Sequence, residues 1–264
     1  MSKIFEALQR AEQENVLPRS EKFSSVENVD VTGDLSEKLV VVNRPGSVAA
    51  EQFRFLRSQI VRPIEGSAPK TILITSSLQG EGKTFTACNL AVTIAQGMDE
   101  YVLLVDADLR SPRVHSFFGY DRAEKGLATH LEYNEPLPSL FKKTAISKLT
   151  ILPAGQETDN PSELLSSQKM HSFISEVRDR YPDRLIIFDS PPVNLAPETM
   201  VIAKEVDAIF VVLLRGKTPR HIVKSTLERF QKEKVKGVIF NQDPDIAKTK
   251  YYSYGYGYGS GKSA

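Results

Sequence analysis

The chain has a single cysteine, Cys88, among 264 residues. One thiol excludes an internal disulfide framework and suits a reducing compartment. The four histidines (His115, His130, His171 and His221) are scattered, with no partner at metal-ligand spacing, so a zinc-built protein is not expected. Long apolar runs are missing as well. The longest spans Ala208 to Leu214, whereas a membrane-spanning helix needs about 20 such residues. The first residues lack a basic stub followed by an apolar stretch, so no signal peptide is expected. Nor is there an excess of one charge: Lys and Arg number 34, Asp and Glu 33, for a formal net charge of +1. That balance argues against holding nucleic acid by bulk electrostatics. What is present is ordinary for a soluble globular chain with a core, at 41% hydrophobic and 25% charged residues.

Texture divides the chain into three parts. Residues 2–15 carry Ile4, Phe5, Leu8 and Ala11 at helical spacing. A polar stretch to Lys38 follows, and residues 1–38 together have a net charge of −3. This predicts an amphipathic helix on a flexible acidic arm. From Leu39 to Ala247 short β-rich runs alternate with helical stretches. Strands are predicted at Thr71–Thr75, Tyr101–Asp106, Leu149–Leu152, Leu185–Asp189, Ala208–Leu213 and Gly237–Asn241. Helices are predicted over 48–61, 83–96, 162–180, 197–204 and 219–234. Such alternation specifies one α/β domain, a mostly parallel sheet flanked by helices. Residues 248–264 differ again, holding five of the nine tyrosines between Tyr251 and Tyr258 and four glycines in the last ten residues. A mobile, disordered tail is expected there.

The chemistry is concentrated at the carboxyl ends of three predicted strands. The first runs into Ser76-Ser-Leu-Gln-Gly-Glu-Gly-Lys-Thr84, with a helix opening at Lys83. A glycine-rich turn between strand and helix aims backbone N–H groups and the helix N-terminus at an anion. Lys83 then reaches the β- and γ-phosphates and the Thr84 hydroxyl ligates Mg²⁺. Ser77 stands where the common pattern has its first glycine. The second strand ends at Asp106, with Asp108 two residues on, and another ends at Asp189. Ligands of an open parallel sheet bind outside these strand ends, so the carboxylates are expected beside the phosphates, where a hard cation needs oxygen ligands.

These motifs resemble those of the bacterial tyrosine kinases of capsule and exopolysaccharide synthesis. The likeness covers roughly residues 45–258. It includes Gly80-Glu-Gly-Lys-Thr84, Leu103-Leu-Val-Asp-Ala-Asp-Leu-Arg110, Ile186-Ile-Phe-Asp-Ser-Pro-Pro192, Leu152-Pro-Ala-Gly155, Asn160-Pro-Ser-Glu-Leu-Leu165, Gly216-Lys-Thr-Pro219 and Gly237-Val-Ile-Phe-Asn241. The terminal tyrosine cluster is its most specific mark. The resemblance implies a P-loop NTPase fold of the MinD/ParA type and an ATP- and Mg²⁺-dependent autokinase. Its targets are Tyr251, Tyr252, Tyr254, Tyr256 and Tyr258, phosphorylated between subunits. It assigns Gly80, Glu81, Gly82, Lys83, Thr84, Phe85 and Asn241 to the nucleotide, with Asn241 at its base. Lys83, Asp106 and Asp108 become catalytic, Asp106 being nearest the incoming hydroxyl, and Thr84, Asp108 and Asp189 hold the metal.

In Glu51-x-x-Arg54-x-x-Arg57 the charges share one helical face, while Phe53, Leu56 and Ile60 form a second, core-docking stripe. The resemblance makes Glu51, Arg54 and Arg57 contacts that close a homo-oligomeric ring. It further implies a cytoplasmic protein recruited to the inner face of the cell membrane. The partners implied are a membrane polysaccharide co-polymerase that activates it and a tyrosine phosphatase. Gln79 and Glu198 depart from the family's usual Pro and Asp. Two other readings compete: a positioning or partitioning ATPase of the same fold, and a nucleotide-binding regulator without catalysis. The first usually carries an extra lysine where this chain has Leu78.

Overall fold

The computed structural model describes residues 34–242. The predicted helix at 2–15, most of the acidic arm and the tyrosine cluster Tyr251–Tyr258 lie outside the described residues. The arm's last residues meet the domain. Ser36 N donates to Phe117 O at 3.1 Å, and the Asn89 amide donates to Lys38 O at 3.0 Å.

Seven strands make one sheet: β1 Thr71–Ser76, β2 Tyr101–Asp106, β3 Lys142–Lys143, β4 Leu149–Leu152, β5 Arg184–Asp189, β6 Ala208–Leu214 and β7 Val235–Asn241. Their order is β3-β4-β2-β5-β1-β6-β7, and every pairing is parallel except that of β3 with β4. The central strands are buried on both faces, as a sheet covered by helices requires, and this explains why they read as unbroken aliphatic runs.

Alternation sorts each strand's side chains between two cores. Ile72, Ile74, Leu104, Ile187 and Phe210 meet α1 (Val40–Asn43), α2 (Val48–Val61), α3 (Lys83–Ala95) and α4 (Val114–Phe117). Leu73, Val105, Phe188 and Val211 meet α5 (Leu127–Tyr133), α6 (Leu137–Leu140), α7 (Pro161–Leu165), α8 (Gln168–Arg180) and α9 (Thr199–Glu205). Val223 and Leu227 of α10 (Arg220–Leu227) pack against the same core. The predicted α/β class is therefore the one observed. On α2, Phe53 and Ile60 are buried and Leu56 is partly so, making the expected core-facing stripe. Among the described residues no helix is long and apolar enough to cross a membrane.

Local differences from the sequence reading have physical causes. The helix expected over 162–180 is two helices, because the Ser167 hydroxyl accepts from Met170 N at 3.2 Å and starts α8 afresh. The helix expected over 219–234 stops at Leu227, where the chain turns to bury Phe230, and β7 then begins at Val235. The short helices α1, α4, α5 and α6 were not predicted, being too brief to show a period. Leu152-Pro-Ala-Gly155 has a backbone reason: Leu127 N and Ala128 N donate to Pro153 O and Ala154 O at 2.8 and 2.9 Å. A Cβ on Gly126 would lie 2.2 Å from Pro153 O, so that contact admits only glycine.

Phe188, on a central strand, is fully buried and stacks edge-on against Phe173 of α8 at 6.3 Å. Phe188→Ala is expected to lower unfolding free energy by about 3–5 kcal/mol, measurable by chemical denaturation. A loss below about 1 kcal/mol would mean that this core is not the packed unit described.

Candidate phosphate and metal site

Strand parity builds the site. Asp106 stands two residues beyond Leu104, and Asp189 two beyond Ile187, so both carboxylates lie on the α3 face of the sheet. They are also register partners across β2 and β5. The helix covering that face begins at Lys83. The phosphate loop, the two carboxylates and Asp108 thus converge above three adjacent strands, β2, β5 and β1. Backbone bonds knit these crests together: Ala107 N donates to Asp189 O at 2.8 Å, Ser190 N to Ile74 O at 3.1 Å and Val193 N to Ser76 O at 3.0 Å.

Each acid is held differently. The Lys83 ammonium donates to Asp108 Oδ2 at 2.7 Å, and Ser111 N donates to Asp108 Oδ1 at 3.0 Å. Asp106 accepts three backbone N–H groups, from Asp108 at 3.2 Å on Oδ1 and from Arg113 and Val114 at 3.1 and 3.0 Å on Oδ2. It therefore anchors the loop that leads to α4. Asp189 is fully buried, and neither of its oxygens has a hydrogen-bond partner. The Thr84 hydroxyl is near enough to moderate its charge, though short of hydrogen-bond geometry.

The electrostatics follow. Burial, opposed by Lys83 and Thr84 and reinforced by Asp108, pushes Asp189 up to about 6. Burial and the neighbouring Asp189 hold the Asp106 carboxyl well above the usual range. For Lys83, burial works against the charge, but Asp189, Asp108 and Asp106 outweigh it and its pKa is raised. Cys88, one turn further along α3, is pushed well up by burial and by Asp189 and Asp106. With one cation among three acids, Asp106 and Asp189 hold their protons more tightly than free carboxyls do.

An open, buried carboxylate at a helix N-terminus, with a hydroxyl beside it, can take a hard cation. Among the described residues no three His, Cys, Asp or Glu side chains form a metal cage. A cation here would need further oxygen ligands from outside the protein, as Mg²⁺ commonly does.

The loop residues divide into two sets. Gly80 and Gly82 have φ of 83° and 93°, the left-handed region that glycine tolerates. The amide of Asn241, at the end of β7, donates to Glu81 O at 3.0 Å and lies against Gly82. Phe85 packs against Phe53 of α2, with ring centroids 5.9 Å apart. The Ser77 hydroxyl, at the position that departs from the common loop pattern, is buried without a partner. Arg110 and Ser162 belong to separate motifs in the sequence. Here Arg110 donates to the buried Glu198 at 2.8 Å and to Ser162 at 2.6 Å, joining two of the motifs noted above. Glu51, Arg54 and Arg57 are on α2. Arg54 pairs with Glu51 and donates to Pro45 O at 2.8 Å, and Arg57 lies 3.7 Å from Glu100.

Known proteins are similar to this chain in sequence and fold. A family model described as an AAA domain matches residues 69–232. The tyrosine-protein kinase YwqD of Bacillus subtilis (strain 168) is 32% identical over 209 residues, which is 78% of this chain and 86% of that protein. The putative tyrosine-protein kinase CapB of Staphylococcus aureus is 32% identical over 216 residues, covering 81% and 93%. Among solved structures, the kinase domain of the Escherichia coli tyrosine kinase ETK superposes with a TM-score of 0.70 at 28% identity, covering 77% of this chain and 79% of that one. The cell division ATPase MinD of Pyrococcus furiosus shares the fold, with a TM-score of 0.57 at 20% identity and coverage of 68% and 78%.

The raised Asp189 pKa has a testable sign. Its folded value of about 6 exceeds the ~3.9 of an unfolded chain, so the folded protein holds the proton more tightly. That contribution to stability is present below about pH 4 and is lost as pH rises towards 6. Without divalent cations, Asp189→Asn is expected to melt at a higher temperature than wild type at pH 7.5. Its loss of stability between pH 5 and 7.5 should also be smaller. Equal or lower melting at pH 7.5 would contradict an open, desolvated carboxylate.

Proposed function

The chain belongs to the family of bacterial tyrosine-protein kinases, and from that premise we propose that it is an ATP-dependent tyrosine autokinase that modifies its own tail in trans. The observation that carries this reading is the buried, unpartnered carboxylate of Asp189 beside Thr84, at the N-terminus of α3. A divalent cation carried by a triphosphate would supply the positive charge that such a site lacks. Related proteins carry names from capsule and exopolysaccharide systems, CapB of Staphylococcus aureus and EpsB of Ralstonia solanacearum among them. Control of polysaccharide polymerisation and export is the matching role for this chain.

Each residue then has a task. The phosphate loop Gly80–Thr84 and the amino end of α3 hold the phosphates. Lys83 leaves Asp108 for the transferred phosphoryl group and neutralises charge as it builds. Thr84, Asp108 and Asp189 would hold Mg²⁺, which would supply positive charge against the phosphates. Asp106 orients the incoming tyrosine hydroxyl, whose pKa of ~10 calls for a nearby acceptor. Its three backbone donors hold the carboxylate in one position for that purpose. Asn241, already seated on the loop, serves the base of the nucleotide.

The substrates are Tyr251, Tyr252, Tyr254, Tyr256 and Tyr258. Glu51, Arg54 and Arg57, on a helix face turned from the core, join neighbouring subunits in a ring, so that one tail reaches the next subunit's site. Domain limits of 1–38, 39–247 and 248–264 suit this division of labour. A membrane co-polymerase activates the enzyme at the inner face of the membrane, and a phosphatase reverses the reaction.

Purified protein incubated with ATP and Mg²⁺ is expected to accumulate phosphotyrosine. Lys83→Met should reduce the rate at least ~100-fold while leaving the fold intact. Replacing the five tail tyrosines by Phe should remove nearly all label. Mixing that variant with the Lys83→Met protein should place label on the latter. Wild-type protein that hydrolyses ATP without phosphotyrosine would indicate a positioning-type ATPase. Nucleotide binding with neither activity would indicate a regulator. Label found mainly at Tyr101, Tyr120, Tyr133 or Tyr181 would overturn the tail assignment.

A further inference from the structure

The motif Gly216-Lys-Thr-Pro219 has no task in the site described above. It joins β6 to α10, and its threonine reaches the phosphate loop. Glu81, in the middle of that loop, is 3% exposed. Its Oε2 accepts from Leu78 N at 2.6 Å, and its Oε1 accepts the Thr218 hydroxyl. Leu214 N, at the end of β6, donates to Thr218 Oγ1 at 3.2 Å and lies 3.5 Å from Glu81 Oε1. These donors hold the carboxylate within the protein, between the loop and the β6–α10 turn.

An acid in a loop meant for phosphates creates an electrostatic problem. A carboxylate free to turn towards the phosphates repels them, at close range and low dielectric. Two left-handed glycines flank Glu81, a backbone path with little intrinsic preference of its own that side-chain bonds can fix. We propose that Thr218 is a positioning residue for nucleotide binding: its hydroxyl holds the Glu81 carboxylate away from the phosphates and fixes the loop from Leu78 to Gly82. This rests on the nucleotide reading given above and adds the regulation of that site by the β6–α10 turn. Glu81 contributes its backbone to the phosphate cradle, while its side chain serves as a strut.

The test separates charge from packing. Thr218→Val keeps the shape of the side chain and removes the hydroxyl, and it is expected to raise the KM for ATP about tenfold, with kcat at saturating ATP within about twofold of wild type. That is the order for losing one hydrogen bond to a charged group. Thr218→Ser should stay within about threefold of wild type. In Glu81→Gln with Thr218→Val the freed side chain is neutral, so the KM should return to within about threefold of wild type. A scaffold role alone would lower the melting temperature without this rescue. If Thr218→Val leaves KM unchanged, or lowers only thermal stability, or if Glu81→Gln fails to restore KM, the positioning role is wrong. Equilibrium binding of a fluorescent ATP analogue to wild type distinguishes the two failures. Binding by wild type with no Thr218 effect overturns only the positioning role, while no binding by wild type overturns the nucleotide reading as well.

Discussion

Two carboxylates paired in register beneath a helix N-terminus set the rest of the arrangement. Asp106 and Asp189 occupy neighbouring strand ends on the same face of the sheet, buried, with one lysine to balance them and Asp108. Such a grouping opposes folding unless its members are separately held or neutralised. Asp106 is held by three backbone donors and Asp108 by Lys83, while Asp189 feels the lysine's charge but has no hydrogen-bond partner. The imbalance is what makes the site receptive to a cation with a bound anion.

Much of this was legible in the sequence. The run from Thr71 to Ala95 has an aliphatic strand, a glycine turn and a helix that starts with Lys-Thr, and each part has its own physical signature. The acids at 106 and 189 stood out because each ends an unbroken apolar run. Their shared face, too, follows from alternation once the register is known. Register was not legible, because β5 enters the sheet between β1 and β2 with its partners 115 and 83 residues away in sequence. For the same reason Arg110, Ser162 and Glu198 could be seen as parts of separate motifs but not as one contact. Glu81 looked like another loop residue at the nucleotide, because no pattern reveals which way a side chain turns.

The short helices were missed for lack of length, and the long helices were overextended for lack of a strong stop. Ser167 caps a new helix within a stretch that remains apolar at helical spacing on both sides. Phe230 ends another by being more favourable in the core than on a continued helix surface. In both places tertiary packing outweighed local propensity, which differs among ordinary residues by only ~0.7 kcal/mol.

The helix behind the phosphate loop has a consequence for motion. Along α3 every residue from Thr86 to Ala95 is buried, so the helix has no solvent face on which to slide or tilt. A close-packed interior resists such displacement. Any opening and closing around a nucleotide therefore falls to the loops bordering the helix, with α3 as a fixed abutment. Heating or ligand exchange should loosen those loops first, while the amides of α3 exchange with solvent only through unfolding of the whole domain.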